Sequence, residues 1–100
     1  MMAAEYRLAL SDKVRTDMRR ILSEAEFYGF SREVEAAMLS LEKRMRTDPN
    51  RFGDPAYLLP SGKGMVFRDM QHVVCAYFAV YESERVVWVA AMRRVSFLGE

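Results

Sequence analysis

One cysteine, Cys75, and one histidine, His72, leave this chain without the material for several kinds of chemistry. A lone cysteine closes no intramolecular disulfide. Neither residue recurs at metal-ligand spacing, so no metal and no cofactor is expected. Cys75 stands in an apolar run, where a free thiol behaves as a small buried hydrophobe. An excess of charge is missing as well: 15 Lys and Arg against 14 Asp and Glu give a net charge of +1. That balance supplies no general pull toward nucleic acid or a membrane, so any anion-binding role must come from local clusters. The longest apolar run, Val73 to Tyr81, is far too short to span a bilayer. Met1 to Tyr6 lacks a basic stretch followed by an apolar core, so no secretory leader is expected, and a cytoplasmic location follows by elimination. There is no internal repeat and no low-complexity tract.

What is present reads as one small globular domain covering residues 1–100, with 51% hydrophobic and 29% charged residues. A chain of this length buries a modest share of its surface, so a partner or self-association would add to a thin stability margin.

Tyr6 to Leu10 alternates weakly and predicts a short first strand, ended by the helix-capping pair Ser11-Asp12. Val14, Met18, Ile21, Leu22, Ala25 and Tyr28 then recur at helical spacing up to Gly29, a C-terminal stop. Ser31 is expected to cap a second helix carrying Val34, Ala37, Met38, Leu41 and Met45 on one face and ending at Thr47-Asp48-Pro49. The connection is so short that the two helices must lie antiparallel. Asn50 to Gly64, rich in Gly and Pro, predicts a long loop with one extended patch at Tyr57-Leu58-Leu59. Met65 to Met70, Val73 to Tyr81 and Arg85 to Met92 predict three strands joined by tight turns, hence an antiparallel meander. The expected fold is α+β, with the N-terminal strand and the meander forming one sheet and the helical hairpin on one side of it. Its core should join Met18, Ile21, Leu22, Met38, Leu41 and Met45 to a sheet face carrying half of Val74, Ala76, Phe78, Val86 and Trp88. Arg15, Arg19, Arg20, Arg44 and Arg46 are expected on a solvated, ion-paired helix face.

Several pieces fall in a telling order. The helical hairpin ends in Leu41 and Arg44-Met45-Arg46, followed by Asp48-Pro49-x-x-Phe52-Gly53-x-Pro55 and by Leu59-Pro60-Ser61-Gly62. Phe67-Arg68, Ala76-Tyr77-Phe78-Ala79-Val80 and Arg85-Val86-Val87-Trp88-Val89 come next. From about Glu5 to Phe97 this resembles the RelE/ParE toxins of bacterial type II toxin–antitoxin systems, which include plasmid stabilisation proteins. The resemblance implies a strand–helix–helix–three-strand fold and a cognate antitoxin as partner. It also implies one of two targets: ribosome-bound mRNA, which RelE-like members cut, or DNA gyrase, which ParE-like members poison.

Residue by residue, the resemblance assigns catalytic or binding roles to Arg68, Tyr77 and either Arg93 or Arg94. Lys63, between two glycines, joins Arg68, Arg93 and Arg94 as a cation for nucleic acid. Two positions depart from the pattern. Val74 stands where a basic residue is expected, and Phe97 lacks the hydroxyl of the usual C-terminal aromatic. RNA cleavage by a 2′-oxygen needs a base, an acid and cations for the phosphorane. The cations are here, but a clear proton-transfer pair is not, since His72 lies beside a turn. Plainer readings stand alongside: Arg68 as strand-edge protection, and Arg93-Arg94 as a solvated strand end. At the level of function, a non-catalytic or degenerate binding protein on the same fold, bound to an antitoxin or homodimeric, competes with an active toxin.

Overall fold

The computed structural model describes residues 5–60 and 64–95. Strand β1 (Arg7–Leu10) runs into Ser11, whose hydroxyl accepts the Val14 amide at 3.2 Å and starts helix α1 (Asp12–Tyr28). Gly29 closes that helix at φ +81°, a backbone region that suits glycine because no Cβ meets the neighbouring carbonyl. Helix α2 (Ser31–Thr47) begins without the expected serine cap. Phe30 occupies the capping position instead, its amide bonded to the Ala25 carbonyl and its carbonyl accepting from Val34. The turn is one residue tighter than the capping pattern predicts, which draws Ser31 into the helix.

The expected loop from Asn50 to Gly64 is largely ordered. Helix α3 (Pro49–Phe52) has proline in its first turn, where no amide is needed. Strand β2 (Asp54–Leu58) comes next, so the anticipated patch at Tyr57-Leu58-Leu59 is the tail of a longer element. All five residues of β2 are exposed. An edge strand with no buried face has no hydrophobic alternation to betray it, and it accommodates Pro55. Strands β3 (Met65–Gln71), β4 (Val74–Tyr81) and β5 (Val86–Arg94) form the meander. The five-stranded sheet has the order β1-β5-β4-β3-β2, parallel only between β1 and β5.

Both long helices cover one face. Val14, Ile21, Ala25, Val34, Ala37, Leu41 and Met45 pack with Val74, Ala76, Phe78, Val87, Val89 and Met92, and Met18 and Leu22 pack against this core. Val86 and Trp88 are not in it. Side chains alternate along a strand, so burial of Val87 and Val89 sends Val86 and Trp88 to the opposite side. No helix among the described residues is long and apolar enough to cross a membrane.

Candidate functional site

Among the described residues, the second sheet face has no helix on it, and the register decides which side chains it displays. Arg68 on β3 pairs with Tyr77 on β4, while Cys75 and Tyr77 pair with Arg93 and Ala91 on β5. Paired residues point to the same side, so Arg68, Tyr77 and Arg93 share this face across three adjacent strands. The Arg93 guanidinium lies 5.3 Å from the centre of the Tyr77 ring, within cation–π range. Tyr57, from β2, brings its ring to 6.5 Å from that of Tyr77. Asp54 is the register partner of Arg68 on β2, so a carboxylate adjoins the cations.

A β-bulge separates Arg93 from Arg94. The β4–β5 register shifts between Tyr77 and Phe78, leaving Ala90 unpaired. Before the bulge, odd-numbered Val87 and Val89 face the helices; after it, even-numbered Met92 does. Arg93 is thereby turned to the face away from the helices, as an extra residue in a strand re-aims the side chains beyond it. Arg94 goes to the helix side, where its Nε donates to Glu24 at 3.1 Å. The two arginines that look like a pair in sequence serve opposite faces.

Val74 is fully buried under the helices, so this position offers no charge to the open face. Lys63 and Phe97 lie outside the described residues. His72 sits exposed in the β3–β4 turn at φ +51°. The thiol of Cys75 is buried among the site residues. Burial pushes its pKa up, against the opposing effects of a Tyr77 hydrogen bond and the charges of Arg68 and Arg93. Among the described residues, no group of histidine, cysteine and acidic side chains is placed to hold a metal.

Sequence reasoning leaves two features open. It gives Tyr57 only as part of an extended patch within a loop, and strand pairing brings that ring beside Tyr77. It sends half of a strand set that includes Trp88 to the core without saying which half, and the indole stands 38% exposed on the face away from the helices with Tyr81 nearby. A groove of about 500 Å³ there is lined by Ala9, Leu59, Pro60, Tyr81, Val86 and Trp88. The alternation of Val86-Val87-Trp88-Val89 carries the signal, since it allows only one of the two sets to be buried.

No family model matches this sequence, and no curated protein matches it either. A solved chain does match in structure: it belongs to the toxin–antitoxin complex RelBE2 from Mycobacterium tuberculosis. The likeness has a TM-score of 0.55 at 17% identity and covers 91% of this chain and 92% of that one. The fold is therefore of the RelE toxin type.

Proposed function

We propose that this protein is the toxin-type half of a toxin–antitoxin pair, held inactive by a cognate antitoxin, with its effector surface around Arg68, Tyr77 and Arg93. The observation that carries this reading is the convergence of those three side chains on the sheet face that, among the described residues, no helix occupies. The helix-covered face is filled by core side chains, which leaves this face to meet a target. Likeness to a chain of a toxin–antitoxin complex supports the partner.

The chemistry of the face favours gripping a target over cutting it. Guanidinium groups hold and stabilise anionic charge but do not exchange protons at neutral pH. Cys75, the thiol among them, is pushed up by burial and stays protonated. Inhibitory binding is thus the preferred action, with ribosome-bound mRNA and DNA gyrase as the two targets that the resemblance offers.

Induced expression in a bacterial host tests this reading. Wild type should arrest growth, Arg68→Ala should not, and both should give the same circular dichroism spectrum. Co-expression of a neighbouring open reading frame's product should restore growth and yield a complex on size exclusion. Growth unaffected by the wild-type chain would refute the toxin reading. New RNA 5′ ends appearing during arrest would replace binding with cleavage.

A further inference from the structure

We infer that the cavity between α1 and the end of β5 is a binding site for a small hydroxylated phosphate ester, a sugar phosphate in chemical class. The cavity lies at the sheet edge, and the inference does not rest on the effector-face reading. Strand β1 pairs with β5 only as far as Leu10 and Val89, so beyond that point β5 has a neighbour on one side alone. Past the Val74–Arg94 pair, the Val95 amide donates to the Val73 carbonyl at 2.6 Å. Bonded and non-bonded pairs alternate along an antiparallel ladder, so Ala91 and Arg93 turn their backbone groups toward β4, and Met92 turns its own outward. Met92 is 3% exposed, yet among the described residues no strand and no side chain meets its amide or its carbonyl. Buried backbone groups are nearly always paired, so an occupant of the space they face should bring both an acceptor and a donor.

That space is a cavity of about 420 Å³, which touches both Arg93 and Arg94 because it opens at the sheet edge between the two faces. Helix α1 forms its other wall with a ladder of charges. Asp17 holds Lys13 at 2.8 Å and Arg20 at 3.4 Å, while Glu24 holds Arg20 at 3.6 Å and Arg94 at 3.1 Å. Three cations share two carboxylates, and Arg93 adds a fourth cation at the rim. This surplus of positive charge, with the Met92 amide, suits a phosphate, which takes several N–H donors at once. Asp17 and Glu24 would repel a bare anion, but they accept hydrogen bonds from hydroxyl groups, as the Met92 carbonyl does. The bond from Lys13 holds the Asp17 carboxyl below its usual range, so it is an acceptor at neutral pH. A ligand with a phosphate at one end and hydroxyls at the other meets both sets, and the volume accommodates one. A peptide strand could also pair with Met92. Among the described residues, however, the open edge turns out the backbone of Met92 and Arg94, a short run for a strand to register on.

The full chain, labelled with ¹⁵N, should be titrated with glucose 6-phosphate, with glucose and inorganic phosphate as comparisons. The Met92 amide resonance should move with glucose 6-phosphate and stay in place with glucose. By calorimetry, inorganic phosphate should bind about tenfold more weakly than the ester, for want of hydroxyls. Arg20→Gln and Lys13→Gln change side chains 66% and 83% exposed, so the fold should survive both. Each should weaken binding of the ester about tenfold. Arg68→Ala, on the face away from the helices, should leave that affinity unchanged. A Met92 resonance unmoved by about 10 mM ester at low salt, which corresponds to binding weaker than about 3 kcal/mol, would overturn the inference and leave water as the occupant. Equal affinity for ester and inorganic phosphate would overturn it too, as would affinity unchanged in both Arg20→Gln and Lys13→Gln. An acidic decapeptide that moved the Met92 resonance where the ester did not would give the edge to a protein strand instead.

Discussion

Arg44 shows how a charge run in sequence hides individual roles. The sequence pattern puts it on a solvated helix face, yet its guanidinium lies 4.1 Å from the centre of the Phe52 ring and donates to Asp69 at 3.1 Å. A second approach, Nε to Oδ2 at 3.0 Å, is an ion pair not aligned for a hydrogen bond. Asp69 is 5% exposed on the helix-covered side of β3. Burial pushes its carboxyl above the usual range, against the opposing pull of Arg44. Arg44→Ala should leave that carboxylate buried and unpaired, costing about 3–5 kcal/mol where it is ionised. A carboxyl whose pKa is raised by folding penalises the folded state above its folded pKa and does not below its unfolded one. The variant's loss should therefore be larger at pH 8 than at pH 5 in urea titrations, and adding Asp69→Asn should flatten that dependence. Equal losses at both pH values would mean that Asp69 does not carry the effect.

At the scale of elements, both helices and the meander were legible because each has a buried and an exposed side. The periodicity of Val34, Ala37, Leu41 and Met45 is the trace that a core leaves in sequence. Strand β2 left no such trace, being exposed along its whole length, and the bulge falls at the Ala90-Ala91 pair, whose small side chains suit either side. The turn chemistry of Gly53 also hid a packing role. Its φ is an ordinary −89°, but an added Cβ would lie 2.7 Å from the Phe67 Cβ and 3.0 Å from the Phe78 Cζ. A Cβ cannot swing aside as a long side chain can. Gly53→Ala should destabilise the fold by about 1–3 kcal/mol, read as a lower thermal midpoint. If the midpoint did not fall, α3 and β2 would not be seated on β3 and β4 as described.

Across the whole molecule, the two long helices pack on one sheet face, and a polar cluster ties distant parts of the chain together. The Tyr6 hydroxyl donates to Glu82 in the β4–β5 turn, Asn50 of α3 donates to the same carboxylate, and Arg85 donates to the Tyr6 oxygen. The Tyr6 phenol is held above its usual pKa by Glu82, and the Glu82 carboxyl below its own by Tyr6. On this account one face makes the fold and the other meets the target. Arg68 and Tyr77 are site candidates through the resemblance, and strand pairing sets them side by side on the face away from the helices. The choice between Arg93 and Arg94 was not legible, because it depends on a bulge. Arg93→Ala and Arg94→Ala remove the same charge from adjacent positions, one from the open face and one from the helix side. The measurement is growth after induction of wild type and each variant at matched protein levels. Arrest should be lost in Arg93→Ala and kept in Arg94→Ala; arrest lost in Arg94→Ala but kept in Arg93→Ala would contradict the account.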